Sequence, residues 1–489
     1  MKSNPNIVMV MADDMGYWSM GCVGNHEIKT PNLDRLADEG MLFPDFFCAS
    51  PVCSPARASV LCGKMPSQHG VHDWISKGHI DYADVSEELQ QKHNDPEASW
   101  EYNWSKEQLQ GDHAIEYIKD FKAYTDILSE HGYTCALSGK WHLGDAKNTQ
   151  KGFSYWKTIA MGGDNYYYPV VLQGDKFEML RGTYITDYIT ENAHSFLKTR
   201  EKDKPFYLSV HYTAPHAPWD KEQHPEEYYD MYDDCAFTET PDVKPHKWGG
   251  DYTPGQRKKH LKGYYAAVSA MDNGIGEIIN NLKEQNLWED TIFIFTADNG
   301  MSMGHHGIFG KGNGTYPMNM YDTAVKVPII ISYPKAIKGG SVAKGLYSHY
   351  DIMPTIADMM GETLDQSYPG HSFKEIFEGK IPTGNDRVIV FDEYGPVRMI
   401  RTTEYKYIHR YMEYENEFYD LRNDPGEENN LIDSASPEIQ KKISELKAEM
   451  EQWFAEHSTP DKDGAKLNVC GNGQLDMVGK NDGDAFIGR

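Results

Sequence analysis

Short apolar runs alternate with amphipathic segments over the first two thirds of the chain. Near-continuous apolar runs are typical of strands buried on both faces of a mostly parallel sheet. They occur at Asn6–Ala12, Thr134–Ser138, Phe206–Tyr212, Thr291–Ala297 and Pro328–Ser332. Helical spacing and end signals predict helices at Pro31–Glu39, Thr186–Lys198 and Tyr264–Gln285. The alternation predicts a large doubly wound α/β fold, with a mixed or mostly parallel sheet flanked by helices.

The pattern changes near residue 385. Four short segments predict antiparallel strands, at Val388–Glu393, Arg398–Thr402, Lys406–Arg410 and Glu417–Asp420. A charged helix is predicted at Pro437–His457. We therefore expect a main domain over residues 1–384 and a smaller α+β subdomain over residues 385–489. Residues 77–112 are polar and aromatic and indicate an insertion. The tail from Ser458 is rich in Gly, Asp, Lys and Asn, so it either extends along the surface or folds back over the site.

Composition places the chain among globular proteins. Hydrophobic residues make up 39% and charged residues 25% of the 489 residues. No apolar run approaches the roughly 20 residues of a membrane span, and no export signal is visible at the start. As the sequence stands we expect a cytoplasmic protein, or a periplasmic or secreted one if an export signal preceded Met1. The 7 cysteines form no C-x-x-C pair, which argues against a zinc knuckle or a disulfide framework.

The net charge of −26 excludes nucleic acid as the expected partner, because a phosphate-binding surface requires a basic stripe. An anionic substrate would need a local pocket of positive charge inside this acidic molecule.

Two acidic pairs follow predicted strands. Asp13 and Asp14 come directly after the first strand, and Asp298 and Asn299 come after the strand that ends at residue 297. Open α/β sheets hold their sites at the carboxyl ends of strands, so both pairs should lie at one edge. Carboxylate and amide oxygens suit a hard cation such as Ca²⁺ or Mg²⁺. The alternative is that both are turns, where Asp, Asn and Gly are common.

Residues 53–63 carry the most specific signal. They read Cys53-Ser54-Pro55-Ala56-Arg57-Ala58-Ser59-Val60-Leu61-Cys62-Gly63. A helix start after a turn would be the plainest interpretation. The segment resembles the signature of the formylglycine-dependent sulfatases of the alkaline phosphatase superfamily, C-x-P-x-R followed by S-x-x-x-G. The resemblance implies that a sulfatase-maturing enzyme converts Cys53 to formylglycine.

A second segment, Gly132–Gly144, reads GYTCALSGKWHLG and follows another signature of the same family. Lys140 and His142 are two residues apart, so in an extended segment they point to one side. Elsewhere they would be interpreted as a surface lysine and a core histidine.

Further basic residues match the family pattern. His216 lies in a P-H-x-P loop and Lys311 in a glycine-rich loop, where the alternatives are a rigid turn and a solvated lysine. His306, in a G-H-H-G run, and Asp164, in the aromatic loop 162–168, are candidate substrate contacts. His211 lies within a strand and is interpreted as structural.

The resemblance also implies a mechanism. Asp13, Asp14, Asp298, Asn299 and position 53 would bind Ca²⁺, with Mg²⁺ as the alternative. The hydrated aldehyde would attack sulfur, and Arg57 would hold the diol and the carboxylates. Lys140 and Lys311 would neutralise the sulfate, and His216 would protonate the leaving alcohol. His142 would then take a proton from the second hydroxyl, so that sulfate is expelled.

The expected substrate is a sulfated small molecule or glycan. The aromatic loop and the insertion favour a sulfated carbohydrate, with exo action on glycan or glycosaminoglycan fragments, over an aryl or choline sulfate. Two alternatives remain from the sequence: a phosphonate monoester or phosphodiester hydrolase of the same superfamily, and a binding protein that retains the fold without catalysis.

Overall fold

The computed structural model describes residues 4–93, 114–163, 165–250, 254–381, 390–479 and 485–488. Asp164 and most of the insertion predicted at 77–112 lie outside these ranges.

The strands build one large sheet, one C-terminal sheet and several two-stranded pairs. In chain order they are β1 Asn6–Ala12, β2 Met41–Leu42, β3 Phe46–Phe47, β4 Thr134–Gly139, β5 Phe153–Thr158, β6 Val170–Gln173, β7 Lys176–Met179, β8 Phe206–His211, β9 Thr291–Ala297, β10 Ser302–Met303, β11 Phe309–Gly310, β12 Ile329–Ser332, β13 Ser341–Val342, β14 Tyr347–Ser348, β15 Val390–Tyr394, β16 Val397–Arg401, β17 Tyr405–Arg410 and β18 Glu417–Asp420.

The large sheet has 8 strands in the order β13-β2-β12-β9-β1-β8-β4-β5. β1 pairs in parallel with β8 and β9, and β4 pairs in parallel with β8 and β5. β12 runs antiparallel to β9 and β2. Strands β8 and β9 are buried along their whole length, as the apolar runs predicted. The mixed, mostly parallel sheet predicted from the sequence is confirmed.

Helices flank the sheet. The α-helices are Pro31–Glu39, Cys53–Cys62, Pro66–His69, Glu87–His93, Tyr124–Glu130, Ile185–Thr199, Glu226–Asp230, Pro254–Glu284, Asp322–Val325, Ile352–Met360 and Pro437–His457. The helix Pro31–Glu39 has its predicted bounds, with proline at its first position and Gly40 after its end. Thr30 precedes it, but the Thr30 side chain makes no capping hydrogen bond. In the described ranges, no helix combines the length and the apolar character that a membrane crossing demands.

Strands β15–β18 form the antiparallel sheet of the C-terminal part. The helix Pro437–His457 packs on it and buries Ile443, Leu446, Met450 and Phe454 against Ile400, Tyr407 and Phe418. The predicted combination of a small antiparallel sheet and a helix is therefore confirmed.

The tail after Ser458 returns to the main domain. Gln474 is fully buried and bridges to Ile75 on one side and to Phe486 on the other. Of the two alternatives that the sequence left open, the structure shows the tail folded back.

Candidate active site

Three carboxylates converge at the carboxyl edge of the large sheet. β1 and β9 pair with Ala12 opposite Ala297, so the residues that follow them emerge side by side. Oxygen atoms of Asp13, Asp14 and Asp298 lie within 4.8 Å of one another. All three side chains are buried, which is costly for carboxylates unless cations compensate their charge.

Asn299 completes an oxygen-rich cluster. Its amide nitrogen donates to Asp14 Oδ1 at 2.9 Å, while its own Oδ1 accepts no hydrogen bond. Asp13 Oδ1 is likewise buried without a hydrogen-bond partner. Unpaired buried acceptors are unfavourable, and a cation placed among them would satisfy both. The donor set therefore fits a hard divalent cation.

Cys53 begins the helix Cys53–Cys62 and is only 2% exposed. Gly63 ends this helix in a left-handed conformation with φ 63°, which glycine adopts without strain. The Cys53 Sγ lies 3.6 Å from Lys311 Nζ. Burial raises the pKa of the Cys53 thiol.

Arg57 lies one turn after Cys53 and points to the same side of the helix. Its Nε and Nη2 lie 2.9 and 2.8 Å from Asp298 Oδ2, and its Nη1 donates to the carbonyl of Lys140 at 3.3 Å. Although burial raises the pKa of the Asp298 carboxyl, Arg57 and the two nearby lysines outweigh it and hold that pKa well below its usual value. Arg57 therefore keeps Asp298 ionised.

Two lysines contact the remaining carboxylates. Lys140 Nζ donates to Asp13 Oδ2 and Lys311 Nζ donates to Asp14 Oδ1, each at 2.5 Å. Burial lowers the pKa of Lys311, but Asp14 and the other anionic groups around it together outweigh burial and raise that pKa overall. Burial raises the pKa of Asp13 to about 6 even though Lys140 opposes the shift.

His142 reaches the cavity from a turn rather than from the extended segment expected after β4. Its φ is 55°, in the left-handed region. Its Nε2 donates to the carbonyl of Ile75 at 3.0 Å, which leaves Nδ1 as the acceptor nitrogen, and that atom is buried without a partner. Burial lowers the pKa of His142 well below its usual value, so the ring is neutral.

His216 follows β8 and faces the carboxylates from the other side. Its Nδ1 donates to the carbonyl of Ala217 at 2.7 Å, and its Nε2 lies 3.5 Å from Asp14 Oδ2. The side chain is 28% exposed, so it reaches the open part of the site.

A cavity of about 280 Å³ lies beside this cluster. It is lined by Cys53, Trp74, Ile75, His142, Met161, Gly162, Gly163, His216, Lys311 and Asn313. A Cβ added at Gly162 would lie 2.1 Å from the His142 ring, so this glycine permits the loop to pack on the histidine. Lys311 supplies a positive charge at the wall of this cavity, within an acidic molecule.

Some candidates lie elsewhere. His306 stacks on Tyr321 with ring centroids 3.8 Å apart, and it is not among the residues lining the cavity. Asp164 lies outside the described residues. His211 is buried behind the site, with Nδ1 3.1 Å from the carbonyl of Lys140. Trp74 and Asn313 line the cavity but were not predicted, because no signature contains them.

Comparison with known proteins identifies the family. Residues 5–362 match the family model described as Sulfatase, and residues 304–456 match the one described as N-sulphoglucosamine sulphohydrolase, C-terminal. The first match covers more than half of the chain. The chain belongs to the sulfatase family, which implies a formylglycine and a divalent metal.

Relatives span nearly the whole chain. An N-acetylglucosamine-6-O-sulfatase of Bacteroides thetaiotaomicron is 27% identical over 94% of this chain and 88% of its own length. An ulvan-active sulfatase of Formosa agariphila is 27% identical over 93% of this chain and 82% of its own length. A solved structure in complex with its substrate D-glucosamine-2-N,6-O-disulfate superposes with a TM-score of 0.74 at 25% identity, covering 94% of this chain and 99% of that chain.

Proposed function

We propose that this sulfatase releases inorganic sulfate from a sulfated carbohydrate, removing the ester from a terminal amino sugar of a glycan or glycosaminoglycan fragment. The observation that carries the proposal is a cluster of three buried carboxylates, each in contact with a cationic side chain, next to a cavity lined by Cys53 and Lys311. The similarity to an N-acetylglucosamine-6-O-sulfatase and to an ulvan-active sulfatase supports a carbohydrate substrate.

The cavity favours exo action. Its volume of about 280 Å³ is near the lower limit for small-molecule sites. A single sulfated sugar fits such a volume better than an internal stretch of a polysaccharide does. Trp74 offers an apolar ring and Asn313 a polar group at the wall, the combination that a sugar requires.

We further propose that Asp13, Asp14, Asp298, Asn299 and residue 53 hold Ca²⁺, with Mg²⁺ as the alternative. All the side-chain donors are oxygens, which both ions prefer. A formylglycine at position 53 would supply the nucleophile, and a cation bound at these residues would stabilise its negative charge. A modifying enzyme that oxidises Cys53 is then a required partner.

The lysines and Arg57 prepare the site for an anion. Lys140 and Lys311 lie against Asp13 and Asp14, and Lys311 also lines the cavity; both would neutralise sulfate oxygens. Arg57 contacts Asp298 through two nitrogens and fixes its orientation.

The two histidines would move protons on opposite sides of the cavity. In its doubly protonated form His216 donates Nδ1–H to the Ala217 carbonyl, and its Nε2–H would pass to the departing alcohol. His142 is neutral, and its unpaired Nδ1 would accept the proton that accompanies release of sulfate. On this assignment His216 is the acid and His142 is the base.

The test is sulfate release by protein produced together with a sulfatase-maturing enzyme. We expect turnover of N-acetylglucosamine 6-sulfate or glucosamine-2-N,6-O-disulfate, and little turnover of a phosphate diester. Cys53→Ala should remove all activity and leave the circular dichroism spectrum unchanged. Faster hydrolysis of the phosphate diester would replace the proposal with a phosphodiesterase. Retention of more than about one per cent of activity by Cys53→Ala would refute the nucleophile.

A further inference from the structure

The folded-back tail contacts the wall of the cavity through its backbone. We call residues 470–474 the tail loop. The carbonyl of Gly471 accepts a hydrogen bond from Trp74 Nε1 at 3.2 Å and another from Asn313 Nδ2 at 3.3 Å. Trp74 and Asn313 both line the cavity and are more than 200 residues apart in sequence. One carbonyl of the tail loop therefore orients two side chains of the substrate pocket.

Buried contacts hold the tail loop in place. Gln474 is fully buried, and its Oε1 accepts from the backbone nitrogens of His72 and Asp73 at 2.9 and 3.4 Å. Its backbone nitrogen donates to the carbonyl of Trp74 at 2.8 Å. Gly473 donates to Asp73 Oδ2 at 3.0 Å. The tail loop is thus hydrogen-bonded to the backbone of residues 72–74 and to the Asp73 side chain.

The indole also packs directly on the tail loop. A Cβ added at Gly473 would lie 3.1 Å from Trp74 Cζ2, so the ring lies close against this glycine. Gly473 has φ 120°, a conformation that a larger residue rarely adopts. The tail backbone therefore supports the ring as well as binding its nitrogen.

Ile75, the wall residue that contacts His142, is held by a hydrogen bond that does not involve the tail loop. The Ile75 nitrogen donates to Ser54 Oγ at 3.0 Å, on the helix that carries Cys53. The carbonyl of Ile75 holds His142. This anchor reaches Ile75 from the side of the helix, so moving the tail loop would alter Trp74 and Asn313 before it alters His142.

We propose that the tail loop is a positioning element for substrate specificity: through Gly471 it holds Trp74 and Asn313 against the sugar ring. The inference rests on the proposed carbohydrate sulfatase function and deepens it. Sulfate recognition stays with the lysines and histidines, while the affinity for the sugar depends on the C-terminal end of the chain.

The test compares Gly471→Ala, Trp74→Phe and the double variant. In Gly471→Ala the new Cβ would lie 2.9 Å from Asn313 Cβ and would displace the loop. Trp74→Phe keeps an aromatic ring and removes the donor. For glucosamine-2-N,6-O-disulfate we expect each variant to raise KM at least about tenfold, with kcat within about threefold. The inhibition constant of inorganic sulfate should stay within about twofold. Because both changes break one contact, the double variant should be little worse than either single variant.

Gln68→Ala is the matched control. Gln68 is also buried and is held by backbone groups, those of Met65 and Ser367, neither of which lines the cavity. We expect its KM to equal that of the wild type.

Three results would overturn the inference: an unchanged KM in Trp74→Phe, an equal weakening of sulfate inhibition, or multiplying effects in the double variant. Trp74→Phe alone decides the question if Gly471→Ala does not fold. A wild-type enzyme that releases sulfate from no sugar would instead refute the proposed function.

Discussion

Arg57 shows at the residue scale how a site full of charge is kept stable. Its guanidinium and the Asp298 carboxylate are both buried, and removing one member of such a pair leaves an uncompensated charge. We expect Arg57→Ala to lower the free energy of unfolding by about 3 kcal/mol or more, measured by urea denaturation, and to abolish sulfate release.

Arg57→Lys is the informative control. Lysine keeps the charge but lacks the planar guanidinium that contacts Asp298 through two nitrogens. The free energy of unfolding of Arg57→Lys should therefore lie between those of the wild type and Arg57→Ala. A loss below about 1 kcal/mol in Arg57→Ala would show that other cations already compensate Asp298.

The buried carboxyl of Asp73 contacts both the tail loop and the Trp74 backbone, and we expect it to make the stability of the protein depend on pH. Burial raises its pKa from 3.8 to about 6, although Tyr394, Gly473 and Trp74 all donate to it. Between these two values the unfolded chain binds fewer protons at this residue than the folded protein does. The contribution of Asp73 to stability is therefore present below pH 3.8 and is lost as pH rises to about 6.

Asp73→Asn removes this titration. We expect its free energy of unfolding to fall less steeply than that of the wild type between pH 4 and 6.5, by up to about 3 kcal/mol over the range. The exposed Asp203 provides the control, since Asp203→Asn should reproduce the wild-type curve. Parallel curves for Asp73→Asn and wild type would contradict the shift.

Single residues were predictable where a short signature contains them. Cys53, Arg57, Lys140 and His216 lie in such signatures; Cys53 and His216 line the cavity, and Arg57 and Lys140 contact the carboxylates of Asp298 and Asp13. Trp74 was not predictable in the same way. Nothing in its neighbourhood marks it, and its place in the wall depends on a contact with Gly471, 397 positions away.

At the scale of elements, a buried network docks the C-terminal sheet on the main domain. Glu393 on β15 is fully buried and accepts hydrogen bonds from Ser67 Oγ at 2.6 Å and from Arg398 Nε at 2.9 Å. Arg398→Met would leave the Glu393 carboxylate without its charge partner. We expect a loss of about 3 kcal/mol in the free energy of unfolding.

Arg422 offers a matched exposed pair for that experiment. It lies 2.9 Å from Glu404, and the two side chains are 52% and 48% exposed. Arg422→Met should change stability by less than about 1 kcal/mol. Similar losses in both variants would mean that the Glu393 network does not anchor the sheet.

Element bounds followed from the sequence where the pattern was strong. β1, β9, β18 and the helix Pro437–His457 have the bounds predicted for them. The long helix begins at Pro254, ten residues before its predicted start. Residues 254–263 are mostly polar and include two glycines, so the sequence pattern there did not indicate a helix. Strands of two residues, such as β2, are too short to show any period; β2 forms through its pairing with β12.

At the scale of the whole molecule, cation binding should be visible in stability as well as in activity. Three buried carboxylates repel one another, so an ion bound among them stabilises the folded state by mass action. At a calcium concentration about 100 times the dissociation constant, the gain is about 2.7 kcal/mol. We expect a chelator to lower Tm and stop turnover, and added Ca²⁺ to restore both.

Asp13→Asn tests whether the ion acts at this cluster. Its Tm should no longer respond to Ca²⁺. A response equal to that of the wild type would place the stabilising ion elsewhere.

The path of the tail shows what the sequence could not provide. The tail lacks an apolar period, and its contacts with the wall are made by backbone groups and by the amide of Gln474. Such contacts depend on three-dimensional placement rather than on residue type. The sequence therefore gave two alternatives for the tail, and only the fold distinguished them.

The contact between Gln474 and His72 joins positions 402 residues apart and has a consequence for biosynthesis. A ribosome adds roughly 5 to 20 residues each second, so roughly 20 to 80 seconds pass between the emergence of these two segments. During that interval the Trp74 and Asn313 side chains lack the Gly471 carbonyl that orients them. The substrate wall is therefore completed only after the tail loop has been synthesised and has folded back.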